Sequence, residues 1–362
     1  MKFSLFSDNN GKIAFPKLSL PFGKNPKRSL QSTCGLDIGN HSVKWLELQG
    51  DEQLEVVGFN LATIDKERGR HGVLIALREA VKGSGGGTTR RIYGSLSGHS
   101  VIARYVHFPR MTRDELYSHI EVEADKYIPF NIKDVILDCY ILEERKEDGK
   151  IHALVVAVKK DVVQNYLTLL QEAGLELDAL DVDTFALVNA FVNAFENRTS
   201  SSQYHALLDI GGRTTNITIL HGKTCLFCRD VQVGGTDFTQ AISEQLKLEM
   251  DAAEMVKCSG DKSQEELLKL IESPLESLVN EARISFDYFE NQYNGRPGQI
   301  YVSGGSSRLP GLLSYLQSNF SIETQAWDPL EGFTVAKHIA SKVRDSGAGL
   351  AVAVGLALRG KA

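Results

Sequence analysis

The chain has only five cysteines among its 362 residues, and they lack the spacing of a disulfide framework. That excludes a small stapled fold and, with no charged, apolar and small-residue leader pattern at the start, predicts a reducing, cytoplasmic setting. Cys225 and Cys228 form a lone CxxC with no second CxxC or HxxxH to complete a zinc site, so they read as two ordinary thiols on a strand. Long apolar runs are missing too. The longest, Ala348 to Leu358, is well short of the ~20 residues of a membrane span and reads as a buried small-residue helix. A net charge of −6 excludes strong non-specific affinity of the whole chain for nucleic acid.

What remains is an ordinary globular composition, 42% hydrophobic and 24% charged, long enough for two cores. Residues 1–33 stand apart, with six Lys or Arg against one Asp, and read as a flexible basic tail. Beyond it strands and helices alternate. Strands are predicted at 34–38, 42–49, 54–61, 91–97 and 100–108, with a helix near 71–82 before the Gly-rich turn "GSGGGTT". A helix then opens at Thr112, which forms a capping box with Glu115, and is expected to end at Pro129. Its outer side carries Glu115, Glu121, Glu123 and Asp125. Strands at 135–144 and 151–159 and a helix at 160–174, closed by Gly174, complete an α/β insert placed at 109–180.

Two stretches repeat one pattern. "GLDIGNHSVKWLEL" and "LLDIGGRTTNITIL" each run from an apolar strand through Asp-Ile-Gly and a small polar turn into an alternating strand, about half a chain apart. The repetition predicts two similar halves. Glycine turns let backbone N–H groups converge on an anion, hydroxyls add donors, and an Asp beside the turn suits a metal on that anion. Lys44 adds positive charge to the first turn. Two further Gly-rich turns follow, at Gly234-Gly235 before a helix and at Gly304-Gly305 after a strand.

In this order of motifs the chain resembles the actin-like ATPase superfamily, and within it the PilM family of type IV pilus assembly. "GLDIGNHSVKWLEL", the insert helix "IEVEADKYIPF" and "LDVDTFALVNAF" carry the likeness, which runs from Thr33 to the end. It implies an α/β actin-like fold: two RNase-H-like lobes around a nucleotide cleft, with a small insert in the position FtsA uses. The lobes would be 34–108 and 181–345, the second including a helical part at about 236–298, with 346–362 packing back on the first.

By the same likeness, Asp37 and Asp209 hold Mg²⁺ of ATP through waters. Gly39, Asn40, His41, Ser42 and Lys44 wrap one side of the phosphates, and Gly211, Gly212, Arg213, Thr214, Thr215 and Asn216 the other. Gly234, Gly235, Gly304, Gly305 and Ser306 frame ribose and adenine, with Glu281 nearby. Asn40, His41, Arg213 and Asn216 depart from the commoner residues. No Gln stands in the connecting helix to position water, leaving Asp183 as the catalytic candidate and predicting slow turnover or none. The resemblance further implies an inner-membrane PilN-like partner whose cytoplasmic N-terminal segment is bound, with pilus motor ATPases and self-association as further contacts. The rival readings are an FtsA-like filament former and a small-molecule kinase.

Overall fold

The computed structural model describes residues 32–51, 53–82, 90–123, 126–145, 149–195, 203–259 and 262–361. The basic tail up to residue 31, the Gly-rich turn at 83–89 and Asp125 lie outside them. The chain divides into two bodies. One takes in the chain up to Ala190, Gly332–Lys342 and the stretch from Val352; the other comprises Phe191–Glu331 and Val343–Ala351.

In the first body, Ser32–Ile38 (β1), Ser42–Gln49 (β2) and Glu55–Thr63 (β3) form an antiparallel meander. Helix Gly69–Lys82 (α1) leads to Arg90–Leu96 (β4), which lies parallel to β1. β1 is buried almost throughout rather than alternately, as a central strand covered on both faces must be. Ala179–Val182 (β8) pairs parallel to β4, and Thr334–Val335 (β14) pairs parallel to β3 from far along the chain. The sheet order is β14-β3-β2-β1-β4-β8. Leu36, Trp45, Leu77 and Leu180 form its core together with Val163 and Leu170 of helix Lys160–Glu172 (α3). A second cluster joins Tyr93 and Ala179 to Ala186 of Asp183–Ala194 (α4) and to Val352 and Leu356 of Ala351–Leu358 (α11).

The small sheet of this body is Val101–Pro109 (β5), Val135–Arg145 (β6) and Lys150–Lys159 (β7), in order β5-β7-β6, backed by Arg113–Glu123 (α2). The capping box forms: Thr112 N–H donates to Glu115 Oε2 at 2.7 Å, and Glu115 N–H to Thr112 Oγ1 at 3.4 Å. Leu116 and Ile120 fill the core beneath, with Phe108 and Val155. Two boundaries differ from the sequence expectation. β5, assigned to the first lobe, pairs along its whole length with β7, while α3, assigned to the insert, and β8, which straddles the expected boundary at 180, belong to the larger sheet of the first body. α2 is helical over Arg113–Glu123, and residues 124–125 of the expected helix lie outside the described residues.

The second body repeats the first. Tyr204–Ile210 (β9), Thr215–His221 (β10) and Thr224–Val231 (β11) form an antiparallel meander, and Pro297–Ser303 (β12) and Glu323–Ala326 (β13) add in parallel. Its order β11-β10-β9-β12-β13 matches β3-β2-β1-β4-β8 strand for strand. Helices Gly235–Leu246 (α5), Met250–Ser259 (α6), Gln264–Leu270 (α7) and Glu272–Tyr293 (α8) lie between β11 and β12, and Leu312–Phe320 (α9) between β12 and β13. α8 buries Leu275, Leu278, Val279, Ala282, Phe286 and Phe289, a helical period that fixes its inner face. Ala340–Ser346 (α10) precedes α11.

Candidate functional site

Both Asp-Ile-Gly segments fold into the same hairpin. Gly39 N–H donates to the Ser42 carbonyl at 3.0 Å, and Gly211 N–H donates to the Thr214 carbonyl at 3.0 Å. Register agrees as well: Asp37 lies opposite Lys44, and Asp209 opposite Asn216. Asn40 and His41 are exposed at the first turn, and Arg213 at the second.

The two hairpins differ in charge. Lys44 Nζ meets Asp37 Oδ2 at 2.8 Å, so the first carries a matched ion pair, mostly buried. In the second, Ser303 Oγ donates to Asp209 Oδ1 at 2.7 Å, and Asn216 Nδ2 donates to Asp230 Oδ1 at 2.8 Å. Asp209 and Asp230 therefore flank a neutral Asn216 on neighbouring strands. A cation gains more beside an acid with no lysine on the next strand. Among the described residues no group of three or more His, Cys, Asp or Glu is placed to hold a metal directly. The donor set fits Mg²⁺, which keeps several waters and takes few carboxylates.

The remaining turns of the second body converge on its hairpin. Gly235 N–H donates to Gly211 O at 2.9 Å, Thr236 N–H to Gly212 O at 2.7 Å, and Ser306 Oγ to Gly211 O at 3.5 Å. Gly304 has φ +87°, and a Cβ there would come within 2.4 Å of the Ile210 carbonyl oxygen, so no other residue fits. Gly305 is exposed beside it. The Gly235 and Thr236 amides are spent on these loop carbonyls, so the start of α5 braces the hairpin.

Glu281 is held by Arg229 Nη2 at 2.7 Å, on β11 two residues before its end. Asp183 Oδ1 accepts from Gly98 N–H at 2.8 Å and Thr184 N–H at 2.7 Å, which gives it a bracing role at the start of α4. Lys257 went unnoticed in the sequence. Its ammonium is largely buried and donates to Gly235 O at 3.0 Å, Thr239 Oγ1 at 2.8 Å and Glu254 Oε2 at 2.7 Å, directly beneath the converging turns. The only sequence signal is an i,i+3 Glu-Lys pair, common on any solvated helix. Cys225 and Cys228 lie on β11, the first buried and the second partly so.

Comparison with known proteins follows the same line. The family model described as "Type IV pilus assembly protein PilM" matches residues 35–361. A solved structure titled as a PilM-PilN type IV pilus biogenesis complex is similar at 28% identity and TM-score 0.78, over 91% of this chain and 98% of that one. The ethanolamine utilization protein EutJ from Carboxydothermus hydrogenoformans shares the fold alone, at 15% identity and TM-score 0.54, over 93% and 91% of the two chains. Among curated proteins, cell division protein FtsA of Enterococcus hirae is 24% identical over 205 residues, 50% of this chain and 45% of that protein. FtsA of Neisseria meningitidis serogroup B is 24% identical over 360 residues, 82% and 83% of the two. The chain thus spans about half the length of the first curated relatives it matches. Among the described residues no helix is long and apolar enough to cross a membrane. With an actin-like ATPase fold and a family match across nearly its whole described length, the chain belongs to the PilM family of type IV pilus assembly proteins.

Proposed function

We propose that this chain is an ATP-binding scaffold of type IV pilus assembly, in which the Asp-Ile-Gly hairpins are the phosphate-binding turns. The observation that carries the reading is the pair of Asp-Ile-Gly hairpins, identical in register and in their Gly N–H to carbonyl closure. Bound, Mg²⁺ would neutralise phosphate charge. The protein's own part is to present backbone and hydroxyl donors from Gly39–Ser42 and Gly211–Thr215, and Lys44 as a cation. Asp209 would accept from metal-bound water, with Asp37 as its counterpart in the first body. Gly304, Gly305, Ser306, Gly234 and Gly235 would take the nucleoside end, with Lys257 and Glu254 beneath.

Turnover is slow in this reading. Asp183 already accepts two N–H bonds, so it is poorly suited to orient water, and phosphate release should stay below about 0.1 s⁻¹ against a typical enzyme median of about 10 s⁻¹. The protein would act in the cytoplasm, held at the inner membrane by binding the N-terminal cytoplasmic segment of a PilN-like protein; support comes from its likeness to the PilM-PilN complex. A synthetic peptide of the cognate segment, titrated with and without Mg·ATP, tests this. Tighter peptide binding in one nucleotide state supports the scaffold; no binding in either state refutes it.

A further inference from the structure

Residues directly opposite one another on neighbouring strands share a face of the sheet, so the partner of a charged residue decides whether its charge is neutralised or left standing. In the second body four polar residues form one such row. Ser303 of β12 lies opposite Asp209 of β9, Asp209 opposite Asn216 of β10, and Asn216 opposite Asp230 of β11. Their chain neighbours Leu208, Ile210, Ile217 and Val231 turn to the other face and into the core. Side-chain bonds run along the row: Ser303 Oγ donates to Asp209 Oδ1 at 2.7 Å, and Asn216 Nδ2 to Asp230 Oδ1 at 2.8 Å.

The Asn216 amide is fixed at both ends. Only its nitrogen can donate to the Asp230 carboxylate, and its oxygen accepts from Thr218 Oγ1 at 2.6 Å. In the first body the matching row runs Asp37, Lys44, Leu61, and there Lys44 binds Asp37. That row sums to no charge at neutral pH. In the second body the middle residue is neutral and gives a donor to the farther acid, so the row carries two negative charges.

We propose that Asp230 is a positioning residue for Mg·ATP: it fixes the Asn216 amide, and its charge, two strand spacings or about 10 Å from Asp209, adds to the field that draws the hydrated cation to the second hairpin. This rests on reading that hairpin as a nucleotide-binding turn.

Asp230→Asn keeps an acceptor for the Asn216 amide and removes only the charge. Its Mg·ATP affinity by calorimetry should fall about tenfold, the low end for a partner behind a metal site. ATP in EDTA should bind as well as in wild type or better, because a negative charge near the phosphates has gone. A purely structural role would lower both alike. Returning the charge to the row one strand over, in the double variant Asn216→Asp with Asp230→Asn, should restore Mg·ATP affinity, since an acid and an amide again stand side by side. Unchanged Mg·ATP affinity in Asp230→Asn, an equal loss with and without metal, or a double variant no better than Asp230→Asn overturns the positioning role. The underlying reading is tested separately with Asp209→Ala. If wild type binds and Asp209→Ala weakens binding while Asp230→Asn does not, only the positioning role is lost. If wild type fails to bind, or Asp209→Ala binds as well as wild type, the nucleotide reading falls and this inference with it.

Discussion

Arg359→Met should unfold the first body early. The Arg359 guanidinium pairs with Asp181 Oδ2, with side chains only 4% and 1% exposed. Burial pushes the guanidinium down to about 10, opposed by the charges of Tyr93 and Asp138, so it stays charged at neutral pH. Removing it strands a buried carboxylate whose other oxygen accepts from Val182 N–H at 2.7 Å. Breaking a buried pair from one side costs about 3–5 kcal/mol. For a body of roughly 150–250 residues that lowers the melting temperature by about 6–20 °C. The two tryptophans separate the bodies, with Trp45 in the first and Trp327 in the second. Urea unfolding followed by Trp45 fluorescence in a Trp327→Phe background reads the loss directly. Replacing both partners, Asp181→Leu with Arg359→Met, should recover most of it because no charge is left behind. A loss below about 1 kcal/mol for Arg359→Met would refute the reasoning, since no buried charge would then have been uncovered.

Gly304→Ala should destabilise the second body by about 2–5 kcal/mol, combining left-handed backbone strain with overpacking. Its Cβ would strike the Ile210 backbone, and Trp327 fluorescence during urea unfolding checks it. His205, buried beside Phe191 and Tyr301, has its pKa lowered by burial and then by His221. Between the ordinary imidazole value and that lower one, the unfolded chain binds a proton that the folded chain does not. Stability should therefore fall as pH drops below about 6.5, and His205→Phe should flatten that decline in a series of melts.

The repeat was legible because a hairpin is local. Asp-Ile-Gly, a short polar turn and an alternating strand settle turn and register within some fifteen residues, and both copies fold alike. Helix caps were legible for the same reason, as at Thr112–Glu115 and at Gly174, which has φ +78°. What escaped depends on distant partners. "VIARYVHFP" reads as a strand whichever sheet it joins, and only its pairing with β7 assigns it to the small sheet. β14 is two residues long and exists through β3. Glu281 stood out in the sequence, but its partner Arg229, fifty-two residues earlier, did not. Gly234-Gly235 showed a helix start, but not that Gly211 and Gly212 would consume its amides.

The claim that the Asp-Ile-Gly hairpins bind nucleotide is tested most directly by calorimetry of Mg·ATP with wild type, Asp37→Ala and Asp209→Ala. The account predicts binding by wild type and weakened affinity in each variant, the larger loss falling on Asp209→Ala because its cross-strand neighbour is the neutral Asn216 where Asp37 has Lys44. No binding by wild type, or unchanged affinity in both variants, would contradict it.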